Sequence, residues 1–316
     1  MRILSLNLQH GLPGAGAGDG AAATGSLAGA DISSPAVART VMEAAAEQIA
    51  ELAPDVVALQ EVDLGQPRSG RLNQTAFLAK ALGMSHYRFA AAYAGPVVGL
   101  RRRPLRCELT AARHEPLGPL RAFVGARPIG YGNALLSRHP VQAWTDKRLG
   151  RGPATIVRRG ERAWSPRSYK LFTATHRVMV GATITMPSGA PLSVASTHLA
   201  TRGDTAAKQV AAAWQHLAAQ PGAHVLVGDY NLRPEQLTPL GVGRLVGDGP
   251  TFPAASPNRR IDHFMTDPWP VDASGQPLEA ALASARGPLL RAAAWGTRTF
   301  VISDHAGTWV DLEPVG

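Results

Sequence analysis

The first eight residues, MRILSLNL, place apolar side chains at Ile3, Leu4, Leu6 and Leu8 and predict a strand that turns polar at Asn7. A stretch rich in Gly, Ala and Ser follows over 11–34 and has the composition of a loop. Ser34-Pro35 starts a helix, with Ser as N-cap and Pro in the first helical position. Val37, Val41, Ala45, Ile49 and Leu52 continue it at helical spacing until Pro54 stops it. Residues 55–60, DVVALQ, read as a short strand ending at Glu61, and 72–82 as a second helix closed by Gly83. Further strands are expected at 133–137 and 224–229, at 261–265 and at 306–312. A hairpin is expected over 177–186 and 191–198 around Pro187-Ser188-Gly189, and a third helix over 204–220. Residues 95–130 are rich in Pro and Arg with weak periodicity, and 144–170 read as an exposed basic excursion. No fixed-period repeat or clean linker interrupts the pattern. One mixed α/β domain over 1–316 is the expectation.

Composition narrows the field. With 316 residues and 45% hydrophobic content, the chain can bury a sizeable core, and disorder is excluded as its dominant state. No stretch approaches the ~20 apolar residues of a membrane helix. The N-terminus, with one positive charge and an early polar turn, is not expected to be a signal peptide. The single cysteine, Cys107, excludes an internal disulfide framework and a cysteine-built zinc site, and suits a cytoplasmic protein. The net charge is +9, and residues 101–170 alone hold sixteen Arg or Lys against four Asp or Glu. Twenty-eight of the 32 basic residues are Arg, whose planar fork suits phosphate. This basic region points to an anionic partner: nucleic acid, phospholipid headgroups or a phosphorylated small molecule. GC-rich coding gives the same composition, so charge alone does not decide.

The chemistry gathers at strand ends. RILSL runs into Asn7, DVVAL into Gln60-Glu61, LSVAST into His198, and HVLVG into Asp229, with Asn231 two residues on. Ligands in α/β sheets bind beyond the carboxyl ends of strands, so an amide, carboxylates and an imidazole there are expected to converge.

Seven segments then carry a family likeness: LSLN (4–7), LQE (59–61), GNALLS (132–137), STHL (196–199), GDYN (228–231), RIDH (260–263) and SDH (303–305). In this order they resemble the endonuclease/exonuclease/phosphatase superfamily. That superfamily includes pancreatic-type deoxyribonucleases, apurinic-site endonucleases, neutral sphingomyelinases and inositol-polyphosphate 5-phosphatases. The resemblance implies a four-layer α/β sandwich, with two central mixed β-sheets flanked by helices, and phosphoester hydrolysis with a divalent metal. By it, Glu61 is the main metal ligand with Asn7 and Asp304, and these hard oxygen donors suit Mg2+ or Mn2+. Asp229 orients or deprotonates the attacking water, and Asn231 donates to a phosphate oxygen. His305 contacts the scissile phosphate, with Asp262 fixing its tautomer. His198 stabilises or protonates the leaving oxygen. His263 reads as structural, as do His10, His86, His114, His139, His176, His216 and His224.

The chain departs from the apurinic-site enzymes by Gln9, where they carry an acid, and by His198, which they lack. It therefore resembles the histidine-bearing branch. The middle region, where substrate is chosen, matches no pattern. A nucleic-acid phosphodiester is the first expectation, a phospholipid or phosphorylated small molecule the alternative, and a non-catalytic binding module a third. Arg68 and Arg71, Tyr131, and Arg101-Arg102-Arg103 are further anion-binding candidates; Arg68 and Arg71 read first as a solvated loop, and the Arg triplet reads equally as an ordinary solvated face. Gly14, Gly16, Gly18 and Gly20 lack the Gly-Lys-Ser/Thr of a phosphate loop.

Overall fold

The computed structural model describes residues 1–14, 27–97, 101–116, 120, 123, 125, 127–158, 169–172, 175–274, 276–285 and 287–315. Gly16, Gly18 and Gly20 and part of the basic region fall outside the described residues. In chain order the elements are β1 (Arg2–Asn7), α1 (Pro35–Glu51), β2 (Val56–Leu64), α2 (Gln74–Ala81) and β3 (His86–Ala94). The middle contains β4 (Gly130–Ser137), β5 (Val141–Gly150), β6 (Thr155–Arg158), β7 (Tyr169–Phe172), β8 (Arg177–Thr185) and β9 (Pro191–His198). The last third contains α3 (Gly203–Leu217), β10 (Ala223–Asp229), α4 (Pro234–Leu237) and β11 (Arg244–Val246). It closes with β12 (Asp262–Thr266), α5 (Glu279–Ser284), β13 (Leu290–Arg298) and β14 (Gly307–Pro314).

Two six-stranded sheets result, ordered β13-β14-β1-β2-β4-β3 and β11-β12-β10-β9-β8-β5, with β6 and β7 forming a separate two-stranded ribbon. Both sheets are mixed. β1 and β2 run parallel in the first and β9 and β10 in the second, and every other neighbour is antiparallel. Within the basic excursion expected over 144–170, strands are described at both ends. Residues up to Gly150 belong to β5, an outer strand paired to β8, and 159–168 lie outside the described residues.

Alternation along the strands builds the layers. Ile3, Val56, Ala58, Val225 and Val227 share one buried cluster, which lies between the sheets. Their neighbours Leu4, Val57 and Leu59 pack on Val41, Met42, Ile49 and Leu78 of α1 and α2. On the other side Leu226, Ala195 and Met265 pack on Val210, Ala213 and Leu217 of α3. Strands buried on both faces read as nearly continuous apolar runs, as these do. The order is helix, sheet, sheet, helix, the four-layer sandwich expected. Among the described residues no helix is long and apolar enough to cross a membrane.

Candidate active site

Period-two alternation fixes which polar side chains enter the space between the sheets. Ile3 and Ala58 face inward, so Asn7 and Gln60 do too; Val194, Val227 and Phe264 likewise aim His198, Asp229 and Asp262 inward. Register then brings them level: Asp229 pairs with His198 on one side and Asp262 on the other, and Asn7 with Gln60. Both parallel pairs thus deliver their carboxyl ends to one place.

Glu61 breaks the alternation. With Gln60 facing inward, residue 61 of a regular strand faces the helices. The ladder between β2 and β4 instead shifts register between Leu59 and Val62, and Glu61 adopts φ +54. The bulge returns Val62 to the helix-facing cluster and turns Glu61 inward. Left-handed backbone on a non-glycine residue costs about 1 kcal/mol, a strain held where a carboxylate is delivered.

The side chains interlock. Asn7 Nδ2 donates to Asp229 Oδ2 at 3.1 Å, while Gln9 N donates to Asn7 Oδ1 at 3.0 Å. His198 Nε2 lies 3.3 Å from Asp229 Oδ2, and its Nδ1 lies 3.9 Å from Glu61 Oε1. That Nδ1 is buried with no hydrogen-bond partner. His305 Nδ1 is 2.9 Å from Asp262 Oδ2, and its Nε2 is 3.9 Å from Asp229 Oδ2. Phe252 packs its edge against the His305 ring, with centroids 4.8 Å apart.

Protonation follows from this crowding. Burial opposes charge on His305, but the carboxylates of Asp262, Asp229 and Asp304 outweigh it and raise the imidazole to about 10. His198 is driven the other way, by burial and by the charges of Arg177 and His305, and is neutral. Burial and the Asp262 charge push Asp229 up. Burial also raises Glu61, which Arg177, Asn7 and His305 partly offset.

Asp304 is exposed next to His305, and its charge acts on both Glu61 and His305. Asn231 sits at φ +52; its backbone N–H donates to Asp229 Oδ1 at 2.9 Å and its Nδ2 to the Leu199 carbonyl at 3.1 Å. One Nδ2 proton remains. His263 is fully buried, with Nε2 on the Leu232 carbonyl at 2.8 Å, the structural role expected. Arg68 is taken by Asp63, with two bonds of 2.8 Å, and lies over the Tyr131 ring, which stacks on Tyr93. Arg71 lines a cavity of about 470 Å³ together with Arg88 and Glu108. The Arg triplet divides: Arg101 covers Tyr93, Arg102 binds Glu115 at 2.8 Å, and Arg103 lines a different cavity.

Arg177 is the site residue the sequence does not single out. Its charge acts on Glu61, Tyr131, His198 and Asp229. As one of 28 arginines at the start of an ordinary strand, it has no local signature.

The donor set fits a hard divalent cation. Glu61 and Asp304 supply carboxylates, and Asn7 Oδ1 retains a lone pair beyond the one Gln9 uses. A second group, Asp229, Asp262 and His305, has ligand atoms within 4.8 Å of one another, but the last two are hydrogen-bonded together.

A sandwich of two mixed sheets with this architecture is the phosphoesterase fold of a broad class of hydrolases. The sequence matches the Endonuclease/Exonuclease/phosphatase family over residues 4–305, and the chain belongs to that family. Its members are hydrolases acting on phosphoester bonds, and the family is typically dependent on divalent metals. Among solved structures, an endonuclease/exonuclease/phosphatase from Beutenbergia cavernae is 20% identical at TM-score 0.55, covering 100% of this chain and 72% of that one. A mannosyl-6-phosphatase from Bacteroides thetaiotaomicron is 14% identical at TM-score 0.55, covering 99% of each chain. Humanised TDP2 of D. rerio is 16% identical at TM-score 0.52, covering 99% of this chain and 98% of that one. At such identities the likeness is one of fold. No curated protein sequence matches the chain.

Proposed function

We propose that the chain is a Mg2+-dependent phosphoesterase that hydrolyses phosphodiester bonds, nuclease-like in substrate, by in-line attack of an activated water. The observation that carries this reading is the convergence, between the two sheets, of Asn7, Glu61, His198, Asp229, Asp262 and His305 in one cluster of hydrogen bonds and close polar contacts. Every position expected from the family pattern holds a chemically competent residue, which disfavours a non-catalytic module.

Glu61, Asn7 and Asp304 hold the metal, with Mn2+ an acceptable substitute. When bound, it supplies Lewis-acid polarisation of a phosphoryl oxygen. Asp229, raised by burial and the Asp262 charge, orients the water and takes its proton. His305, held protonated by its carboxylate neighbours, donates to a non-bridging oxygen as negative charge develops there. Asp262 keeps that ring oriented through Nδ1. Neutral His198 hydrogen-bonds the leaving oxygen, and the remaining Nδ2 proton of Asn231 reaches a phosphate oxygen. The basic region 101–170 favours a polyanionic substrate.

The test is a panel of plasmid DNA, RNA and bis-p-nitrophenyl phosphate with Mg2+, Mn2+ and Ca2+, before and after chelation. Chelation is expected to abolish hydrolysis, and Asp229→Ala and His305→Ala to lower it about a thousandfold each. Variants as active as wild type, or activity that survives chelation, would overturn the mechanism. Cleavage of bis-p-nitrophenyl phosphate without any nucleic-acid cleavage moves the substrate to a phospholipid or phosphorylated small molecule.

A further inference from the structure

Beside the catalytic cluster is a cavity of about 200 Å³ lined by Arg103, Arg148, His176 and Arg177, with Gly150 at its wall. Among the described residues no acid lines it. Arg148 Nη2 donates to the Pro104 and Leu105 carbonyls at 2.6 and 3.0 Å, and so anchors the segment that carries Arg103. Gly150 turns at φ +75 with open space where a Cβ would stand. The cations are close enough to repel: after burial, the charges of Arg151, Arg103 and Arg148 depress the His176 imidazole. Arg177 belongs to both places, since it lines the cavity and its charge acts on Glu61, His198 and Asp229.

A group of cations around a cavity that no carboxylate lines is complementary to an anion. The volume is below the ~300–1,000 Å³ of a site that encloses a whole ligand. It suits one phosphate-sized group of a larger molecule. The arginine shared with the catalytic cluster puts that group on the same molecule as the scissile bond. We propose that this cavity binds a second phosphate of the substrate, one that is not cleaved. The proposal rests on the phosphoesterase reading above and narrows it: the preferred substrate carries at least two phosphates.

The test compares kcat/KM for thymidylyl-thymidine with and without a 5′-phosphate, and for fructose 1,6-bisphosphate against fructose 6-phosphate. The two pairs distinguish a nucleic-acid strand from a small molecule as the source of the second phosphate. In wild type the extra phosphate is expected to raise kcat/KM about tenfold or more in one of the pairs, the worth of a charge-assisted contact. In Arg103→Gln and Arg148→Gln that ratio is expected to fall near one. Arg291→Gln, which removes a charge at exposed Arg291 on β13, is the control and should keep the wild-type ratio. A wild-type ratio near one in both pairs, with bis-p-nitrophenyl phosphate still cleaved, would overturn the subsite and leave the phosphoesterase reading standing. If no phosphoester is hydrolysed, that reading fails, and calorimetry with thymidine 3′,5′-bisphosphate against thymidine 5′-phosphate decides the subsite. Tighter binding of the bisphosphate, lost in Arg103→Gln, supports it; equal binding of the two ligands overturns it.

Discussion

Asn7 and Asp229 are 222 positions apart in the chain, yet the amide of one donates to the carboxylate of the other at 3.1 Å. The bond joins β1 of the first sheet to β10 of the second and supplies a buried carboxylate with a donor. Replacing Asn7 by Ala is expected to lower stability by about 2 kcal/mol, since it strips a donor from a buried charged group. Hydrolysis is expected to fall about a hundredfold, the usual effect of losing one well-placed donor. Urea denaturation and steady-state rates check the two effects separately.

Asp262→Asn tests the His305 protonation state. In wild type His305 stays protonated to about pH 10, because Asp262, Asp229 and Asp304 outweigh the effect of burial. With the Asp262 charge gone, the imidazole is expected to lose its proton nearer neutrality. The rate should then drop between pH 7 and 9, where wild type shows no loss from this group. A pH–rate profile and the imidazole resonances of His305 are the measurements. The sign for stability is fixed as well: a raised folded value adds stability below the ordinary histidine value of 6.5, and that stability is lost as pH rises toward 10.

His263 gives the opposite dependence. Fully buried against Tyr230, it is pushed down to about 4 by desolvation and the Arg260 charge. Protons therefore prefer the unfolded chain. The stability this ring contributes is complete above about pH 6.5 and is lost as pH falls through 4, up to about 3 kcal/mol. His263→Gln is expected to flatten the dependence of the urea midpoint on pH across that window.

Gly228→Ala is expected to destabilise the protein by about 3 kcal/mol or more. Gly228 sits at φ +141, and a Cβ there would lie 2.0 Å from the Thr197 carbonyl oxygen in the neighbouring strand. No flexible side chain can yield, because the obstacle is backbone. A thermal melt checks this, and the variant should lose activity together with its fold, since Asp229 follows directly.

Much of this architecture was legible in the sequence, and what was not shares a physical cause. The inner strands β1, β2, β4, β8, β9, β10, β12 and β14 are covered on both sides by neighbours, and their apolar runs reveal them. Within the two sheets, the four strands the hydropathy pattern does not reveal, β3, β5, β11 and β13, are the outer ones, and the separate β6–β7 ribbon is missed as well. β5, VQAWTDKRLG, has no fully buried residue, and β3, HYRFAAAYA, has a run of three alanines, poor strand formers, at its centre. Site residues at ends of inner strands, such as His198 and Asp229, were readable for the same reason. Arg177 was not, because its importance arises only from the chain segments that fold around it.

Glu61 reaches its neighbours only because β2 carries one residue more than its partner strand can match. Removing Gln60 or Glu61 would bring the strand back into step and leave one inward position where there are now two, so the amide and the carboxylate could not both be presented. This stretch should accordingly be as sensitive to a change of length as to the loss of the Glu61 carboxylate itself. A protein engineer who trims it to a tidier ladder will obtain a sounder sheet and a cluster short of one side chain.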